Sequence, residues 1–308
     1  MEVRNFLFDT GVIPSSKFDI KVVSVGNLEM GGTGKTPFIK YLIKLLSPQY
    51  SVAVLSRGYG RSTKGFRNVS LTNLPLEVGD EPLEIKKDFV DIPVCVCENR
   101  VLGASELIAL YPDVDLILLD DAFQHRSIHR DVNILLSRAN RPFYSDYVIP
   151  TGRLREFAHN RKRADAIIFT SAQSTFIPRI KGDNVFLSGT KYSPLITVNG
   201  ADQDVTTSFG LITGLANPQK MEDEVGQMVK LDHICHFGDH HRYTPNEIEK
   251  LVVANPVTTW ITTHKDWVKL EQIFRESFPK TVVMVLKIET VFYDQAFSDW
   301  VLSKLKNG

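Results

Sequence analysis

One stretch of the chain, Val22–Leu46, most constrains its fold, and it reads VVSVGNLEMGGTGKTPFIKYLIKLL. A β-branched run enters a glycine-rich turn that ends in Gly34-Lys35-Thr36, and apolar residues at helical spacing follow. Strand, glycine turn and amphipathic helix is the setting in which Gly-Lys-Thr forms a phosphate-binding loop. Glycine N–H groups converge on phosphate oxygens, the helix N-terminus is positive, Lys35 supplies a cation, and the Thr36 hydroxyl can ligate Mg²⁺. The stretch therefore predicts a nucleotide-binding loop.

The loop departs from the usual pattern at one position. A glycine normally stands five residues before Gly34, and here that residue is Glu29. The alternative is a glycine-rich turn that binds no ligand. Because both the strand before the turn and the helix after it are in place, we favour nucleotide binding.

Composition is that of an ordinary globular protein, large enough for one large domain or two modest ones. The chain has 308 residues, of which 43% are hydrophobic and 23% charged, and its formal net charge is zero. A chain without net charge has no general bias toward nucleic acid. The segment 125–163 nevertheless holds nine Lys or Arg against three acids. This local excess indicates either an anionic ligand or surface, or a solvated basic face.

The cysteines argue against a zinc ribbon, and the apolar runs argue against a membrane-spanning protein. Cys95 and Cys97 lie two residues apart in an apolar strand-like run, and Cys235 stands alone, so no zinc-ribbon spacing occurs. Such cysteine usage fits a reducing cytosol. No signal peptide is present, and no apolar run approaches the ~20 residues that a spanning helix needs. We therefore expect no transmembrane helix.

A second constellation follows the apolar run Val114–Leu119. The run reads VDLILL, as expected for a strand buried on both faces of a parallel sheet, and it ends in Asp120 and Asp121. Phosphate-loop enzymes hold Mg²⁺ with carboxylates at this place. A pair that caps the next turn is the alternative, and the phosphate loop favours the metal site.

Three further turns carry charged residues. Ser56–Arg61 follows a strand, at the edge where open α/β sheets bind ligands, although a flexible surface loop is equally compatible. Asp80, in Val78–Pro82, has two interpretations: it caps the helix that follows, or its carboxylate points toward the phosphates. Pro150–Glu156 predicts a turn leading into a basic helix, whose N-terminus and two arginines would suit a phosphate.

The order of strands and helices predicts an α/β fold. We expect a P-loop NTPase-like, mostly parallel sheet flanked by helices, with a smaller C-terminal α/β subdomain. Residues 1–174 would form the P-loop nucleotide-binding core, 175–199 a linker of short β-like pieces, and 200–308 the smaller subdomain. No repeat or low-complexity segment interrupts this order.

The stretch Asp232–His241, DHICHFGDHH, is rich in histidine. His233 and Cys235 would share one strand face and could bind zinc, although no standard ligand spacing is matched. An Asp-His group for acid–base chemistry is a second interpretation. A strand and turn with partly exposed polar residues is the third.

Taken together, these motifs resemble the tetraacyldisaccharide 4'-kinase family of lipid A biosynthesis. Each motif is weak alone apart from the phosphate loop, but the eight together, in this order along the chain, are specific. They are VGNLEMGGTGKTP at Val25–Pro37, SRGYGR at Ser56–Arg61, VGDEP at Val78–Pro82, LLDDAFQHR at Leu118–Arg126, PTGRLRE at Pro150–Glu156, TGLANP at Thr213–Pro218, FGDHHRY at Phe237–Tyr243 and THKDWVKL at Thr263–Leu270.

The resemblance implies transfer of the γ-phosphate of ATP, with Mg²⁺, to the 4'-hydroxyl of a tetraacyldisaccharide 1-phosphate, which forms lipid IVA. Asp80 and His240 would form a dyad that activates the hydroxyl, with Asp239 adjacent. The remaining roles follow by motif. Cofactor-binding residues would be Glu29, Met30, Gly31, Gly32, Thr33, Gly34, Lys35 and Thr36, with Lys35 also catalytic; metal-binding residues Thr36, Asp120, Asp121 and Glu81; and substrate-binding residues Arg57, Arg153, Arg155 and Glu156.

The resemblance also implies a lipid substrate and a membrane surface as partners, with no nucleic acid and no required protein partner. Family members usually begin with a hydrophobic or amphipathic helix, and this chain starts too late to hold a full one. We expect peripheral association with the cytosolic face of the bacterial inner membrane. Two other functions were weighed: a phosphate-loop ATPase that switches a protein partner, and a zinc-dependent binding module built on His233–His241.

Overall fold

A computed structural model describes residues 2–199, 208–257 and 259–307. The strands are β1 (Lys21–Asn27), β2 (Val52–Ser56), β3 (Arg67–Asn68), β4 (Val94–Val96), β5 (Leu116–Leu119), β6 (Val132–Arg138), β7 (Ala166–Thr170), β8 (Val185–Tyr192), β9 (Ile196–Thr197), β10 (Phe209–Thr213), β11 (Leu231–His236), β12 (Thr259–Thr263), β13 (Val282–Leu286) and β14 (Ile288–Phe292). The α-helices are α1 (Glu2–Asp9), α2 (Lys35–Leu46), α3 (Pro75–Val78), α4 (Asp80–Asp88), α5 (Arg100–Leu110), α6 (Gln219–Met228), α7 (Pro245–Ala254), α8 (His264–Ser277) and α9 (Ala296–Asn307). Two 3₁₀ helices cover Phe143–Ser145 and Ala158–Arg163.

The chain forms two compact units. One comprises Met1–Lys191 and Glu289–Gly308, and the other Tyr192–Ile288. These boundaries differ from the expected division at residues 174 and 200. Strand β8 pairs in parallel with β7, so the segment expected to be a linker extends the large sheet, and α9 returns to the first unit. Apolar patterning shows that a strand exists but not which sheet it joins, and this explains the difference.

The first unit contains a nine-stranded sheet in the order β14-β8-β7-β6-β1-β5-β2-β4-β3. Strands β8 to β4 in this order run parallel, and β3 is antiparallel to β4. The run Leu116–Leu119 is buried throughout, as a strand covered on both faces must be. The expected mostly parallel α/β sheet is confirmed, and its central strands β1 and β5 lie side by side.

Packing of α2 fixes the phosphate loop to this sheet. Its buried residues recur at helical spacing and are Phe38, Ile39, Leu42, Ile43 and Leu46. Burying each such side chain contributes about 2 kcal/mol. Cys95 and Cys97 are buried in the core beside α5, and burial raises the pKa of Cys95 to about 12. Both therefore act as small apolar residues, as expected.

The second unit has a smaller sheet in the order β11-β10-β12-β13-β9. Strands β11, β10, β12 and β13 run parallel, and β9 is antiparallel to β13. Trp260 of β12 is fully buried and packs with Trp267 and Phe274 of α8. Across the described part of the chain, no helix is both long and apolar enough to cross a membrane.

Candidate active site

The phosphate loop lies between β1 and α2, where the sequence predicts it. Gly31 and Gly34 have φ of 100° and 80°, values that only glycine adopts readily, and Gly34 immediately precedes the helix. The Asn27 side chain donates to the Thr33 hydroxyl at 2.9 Å, and the Thr170 hydroxyl donates to the Thr33 carbonyl at 3.0 Å. The ends of β1 and β7, which lie on either side of β6, therefore hold the loop in shape.

A second segment supports the front of the loop. The Met30 amide donates to the Arg153 carbonyl at 2.8 Å, and the Arg155 amide donates to the Leu28 carbonyl at 2.7 Å. These bonds place the PTGRLRE motif directly beside the phosphate loop. The sequence analysis singled out both motifs but gave no sign that they pair.

Asp120 and Asp121 follow β5 at the carboxyl edge of the sheet. Asp120 is buried and accepts a hydrogen bond from the Ser56 hydroxyl at 2.9 Å. Asp121 has φ of 47°, which is uncommon outside glycine, and both of its oxygens lie 3.1 Å from Arg155 Nη1. Lys35 Nζ lies 3.6 Å from Asp121 Oδ1. The structure thus brings the phosphate-loop lysine, one carboxylate and one predicted substrate arginine together.

The two carboxylates differ in their electrostatics. Burial raises the pKa of Asp120, and the neighbouring charge of Asp121 adds to this effect. Burial would also raise the pKa of Asp121, but Lys35 and Arg155 outweigh it and lower that pKa. Asp121 is therefore held in its ionised form. The negative charge of buried Asp120, in contrast, would be stabilised by a bound cation.

This donor set fits Mg²⁺. Oδ1 of Asp120 is buried and has no hydrogen-bond partner within the described residues, and hard oxygen ligands are those that Mg²⁺ prefers. Thr36 stands in the first turn of α2, and Glu81 in the first turn of α4. Asp120, Asp121, Thr36 and Glu81 are the residues that could hold the metal.

Arg100 is a site residue that the sequence analysis missed. It is 1% exposed, and it donates to the Asp120 carbonyl at 3.0 Å and to the Cys97 carbonyl at 2.7 Å. Burial lowers its pKa to about 10, so it stays charged at neutral pH. It therefore holds the backbone of Asp120 in place. From the sequence alone, a buried arginine at the start of a helix cannot be distinguished from an exposed one.

His125 follows the acidic pair, and its environment keeps it neutral. Burial is the main cause, and the positive charges of Arg100 and Arg57 add to it, so that its pKa falls to about 4. A neutral imidazole beside the carboxylates can donate or accept one hydrogen bond without adding positive charge.

We expect His125 to remain unprotonated between pH 6 and 8 in a histidine NMR titration. Its folded pKa lies below the unfolded value, so protons favour the unfolded state as pH falls from about 6.5 toward 4. Over that window the free energy of unfolding of the wild type should fall by about 3 kcal/mol more than that of His125→Gln. Denaturant unfolding at pH 7 and pH 4 measures this difference. An ordinary titration of His125 near pH 6.5 would contradict the assignment.

Asp80 and Glu81 lie in the first turn of α4, but the N-cap position is Gly79 and no side chain caps the helix, so the interpretation of Asp80 as a helix cap is wrong. Gly79 precedes them with φ of 95°, and a Cβ placed there would approach Gly58 Cα to 3.1 Å. The SRGYGR turn therefore packs backbone to backbone against the start of α4. Arg57, in the same turn, is exposed.

Lys40 ties α4 to the phosphate-loop helix. Its ammonium lies 2.5 Å from Glu84 and 2.6 Å from Asp88, and all three side chains are nearly buried. Burial alone would lower the pKa of Lys40, but the two carboxylates outweigh it and raise that pKa. The helix that begins with Asp80 is thereby fixed to the helix that begins with Lys35.

The PTGRLRE segment forms the predicted turn, and a basic helix follows it, as a 3₁₀ helix that begins at Ala158. The two arginines of the motif therefore lie in the turn, ahead of the helix N-terminus. The turn is tight at Gly152, where a Cβ would lie 2.3 Å from the Tyr147 carbonyl. Arg153 is exposed, and Arg155 points to Asp121.

Glu156, expected to bind substrate, lies at the centre of a buried hydrogen-bond network. Its carboxylate accepts from Arg163 Nη2 at 2.6 Å, from Gln124 Nε2 at 2.9 Å and from Asn5 Nδ2 at 2.9 Å. Its side chain is fully buried. Gln124 also donates to the Asn27 carbonyl at the end of β1. This placement favours positioning of the site over direct contact with substrate.

We expect Glu156→Ala to lower the free energy of unfolding by about 3 kcal/mol, because it leaves Arg163 as a buried charge without its partner. Denaturant unfolding measures the loss. Asp9→Ala is the matched control, since Asp9 pairs with Arg126 at 2.6 Å but is largely exposed. An exposed pair contributes at most about 1 kcal/mol. Equal losses in the two variants would contradict the structural role of Glu156.

In the second unit, His240 has φ of 57° and lies in the turn after β11. Lys265 Nζ is 3.1 Å from Asp239 Oδ1 and 3.3 Å from His240 Nε2. The predicted Asp239–His240 pair thus includes a lysine that the sequence analysis did not name. Backbone strain of this kind is concentrated at functional sites.

Asp266 explains why three motifs of this unit occur together. It is fully buried and accepts from the Gly214 amide at 2.9 Å, the Thr263 hydroxyl at 2.8 Å and the Tyr243 hydroxyl at 3.2 Å. These donors belong to the TGLANP, THKDWVKL and FGDHHRY motifs. One carboxylate therefore fixes the turn that carries His240.

The other histidines of this stretch have different partners. His241 Nε2 lies 2.9 Å from Glu247 in the first turn of α7, and His236 lies 3.3 Å from Glu222. His233 and Cys235, which were weighed as zinc ligands, belong to no cluster of three potential ligands in the described ranges.

Comparisons with known proteins identify the family of the chain. The profile of the Tetraacyldisaccharide-1-P 4'-kinase family matches residues 1–306. Relatives named tetraacyldisaccharide 4'-kinase include one from Cytophaga hutchinsonii, 39% identical over 89% of this chain and 82% of the relative, and one from Flavobacterium psychrophilum, 36% identical over 99% and 94%. The crystal structure of LpxK from Aquifex aeolicus in complex with ATP matches with a TM-score of 0.80. Its chain is 28% identical in sequence, and the match covers 98% of this chain and 94% of that chain. The chain therefore belongs to the tetraacyldisaccharide 4'-kinase family.

Proposed function

We propose that this chain transfers the γ-phosphate of ATP to the 4'-hydroxyl of a tetraacyldisaccharide 1-phosphate and so forms lipid IVA. The observation that carries this proposal is the convergence of Lys35, Asp121 and Arg155 at the front of the phosphate loop. Phosphoryl transfer requires a loop that binds the triphosphate, a pair of carboxylates that binds a metal and, for an anionic substrate, an arginine. Family membership supplies the acceptor.

In the proposed reaction the 4'-oxygen attacks the γ-phosphorus, the bond to the bridging oxygen of ADP breaks, and the hydroxyl proton passes to a base. Lys35 and the loop amides bind the phosphate oxygens and offset the charge that they carry in the transition state. Mg²⁺, when bound by Asp120 and Asp121, neutralises further phosphate charge. Arg100 and Ser56 keep Asp120 in place for that task.

Asp80 and His240 keep the proton-transfer roles that the family resemblance implies. Asp80 opens α4, which Lys40 ties to the phosphate-loop helix. His240 lies beside Asp239 and the Lys265 ammonium. We propose Asp80 as the base and His240 as the residue that supports proton transfer.

Substrate phosphate binding is proposed for the arginines of two turns. Arg153 and Arg57 are exposed, and Arg155 is partly exposed beside Asp121. Guanidinium groups bind phosphate through paired N–H donors. A disaccharide that already carries a 1-phosphate is an anionic ligand that such groups suit.

Transfer of labelled γ-phosphate from ATP·Mg²⁺ to a tetraacyldisaccharide 1-phosphate in detergent micelles tests the proposal. Labelled lipid that depends on both acceptor and Mg²⁺ is the expected result. ATP hydrolysis that proceeds equally without the acceptor, with no labelled lipid, would instead support the protein-switching ATPase.

We further propose that helix α1 places the enzyme on the cytosolic face of the inner membrane. Its polar side faces the protein, where Asn5 donates to Glu156 and Arg4 donates to the Gln124 carbonyl. Its apolar Val3 and Phe6 are 75% and 64% exposed. A helix that turns its polar side inward and its apolar side outward suits the boundary of a lipid bilayer.

Flotation with vesicles containing anionic lipid tests this placement. Wild type should float with the vesicles, and Val3→Glu/Phe6→Glu should remain in the dense fraction. Ile177→Glu is the matched control, because Ile177 is 80% exposed in the same unit but lies outside α1. A wild-type chain that does not float would overturn the membrane placement and leave the kinase proposal intact.

A further inference from the structure

Glu29 puts a buried carboxylate at the position where a phosphate loop usually has glycine. The residue is 1% exposed, so water does not screen its charge effectively. A negative charge inside a loop that binds a triphosphate opposes binding unless a positive charge balances it. None of the steps proposed above uses this carboxylate.

The sheet register supplies the balancing charge. Asn27 of β1 is opposite Leu136 of β6, and the strands run parallel. Arg138 ends β6, and Glu29 stands just beyond the end of β1, so the continuation of this register brings the two side chains together. Arg138 Nη2 donates to Glu29 Oε2 at 2.9 Å, while Oε1 has no hydrogen-bond partner within the described residues. The charge of the carboxylate is therefore balanced through Arg138.

We propose that Arg138 is a positioning residue for ATP: it neutralises Glu29 and holds it away from the phosphates at the entrance of the loop. The backbone amides of the loop then face the triphosphate without an opposing charge. This inference rests on the nucleotide-binding part of the proposed function and is independent of the lipid acceptor.

If Arg138 acts through its charge, the variants should rank differently in ATP affinity than if its contact with Glu29 is purely structural. Removing the positive charge with Arg138→Gln should weaken ATP binding about tenfold, because the carboxylate is then uncompensated. Glu29→Gln should strengthen binding, because the charge of Arg138 then acts on the phosphates alone. The double variant Glu29→Gln/Arg138→Gln should return to within about threefold of wild type. A purely structural tie would make both single variants weaker.

Isothermal titration calorimetry of the full chain with ATP and with ADP, both with Mg²⁺, measures these affinities, and thermal melting confirms that each variant is folded. The effect of Arg138→Gln should be larger for ATP, which carries more charge than ADP. Lys304→Gln is the control: Lys304 lies 3.6 Å from Asp165, which precedes β7 at the sheet edge opposite the loop.

Unchanged ATP affinity in Arg138→Gln, or a double variant as weak as that single variant, would overturn the inference. A wild-type chain that binds ATP but phosphorylates no lipid would overturn the proposed acceptor and leave the inference standing. A wild-type chain that binds no ATP would overturn both.

Discussion

Replacing Lys35 with alanine is expected to lower kcat/KM for phosphoryl transfer about a thousandfold, the scale found when one preorganised positive group is removed from a transition state. Lys35 opens α2, so its ammonium acts at the place where the loop amides and the helix dipole already attract the phosphates. The ammonium lies 3.6 Å from Asp121, one of the two carboxylates proposed to hold the metal. No other residue of the loop carries a positive charge.

Steady-state transfer assays with varied ATP measure this loss and divide it between kcat and KM. A loss mainly in kcat would place the ammonium on the transition state, as expected, whereas a loss mainly in KM would indicate ground-state binding. Lys44→Ala is the control in the same helix, because Lys44 is largely exposed and pairs with Glu289. Retention of more than a tenth of wild-type kcat/KM by Lys35→Ala would contradict the role assigned to Lys35.

The local parts of this site could be predicted from the sequence because each depends on neighbouring residues. The glycines of the loop follow a β-branched strand and precede an amphipathic helix, and Asp120 follows a continuous apolar run. Both patterns depend on rules that hold over about ten residues. The structure accordingly has the loop and the carboxylates at the carboxyl ends of adjacent strands.

The supporting contacts could not be predicted because they join distant segments. Asn5 and Glu156 are 151 residues apart, and Arg138 and Glu29 are 109 residues apart. Local patterning contains no information about such pairs, since they depend on strand order in the sheet. For the same reason the sequence does not show that Glu156 belongs to the network that joins α1, Gln124 and Arg163.

The turn at Pro150–Glu156 could be predicted from its proline and glycine, but its partner could not. The amides of Met30 and Arg155 bond this segment to the phosphate loop. That antiparallel pairing joins distant segments, so it depends on the tertiary structure and not on local preference.

Asp80→Asn is expected to lower kcat about a thousandfold with little change in the KM for ATP, because a general base acts on the proton in the chemical step. His240→Gln should cost less, about a hundredfold, since we propose that the imidazole supports the base without accepting the proton. Lys265 Nζ lies 3.3 Å from His240 Nε2 and donates to it, so that nitrogen is less available to accept the substrate proton, and the larger effect is expected at Asp80.

Single-turnover transfer with saturating ATP measures both effects without a contribution from product release. His241→Gln is the matched histidine control: His241 contacts Glu247 at the start of α7, so its replacement should affect stability and change kcat by less than about threefold. An effect of His240→Gln larger than that of Asp80→Asn would reverse the assignment and make the imidazole the proton acceptor. Lys265→Met then discriminates further, because removing the ammonium should restore activity to Asp80→Asn only if His240 can take over as the base.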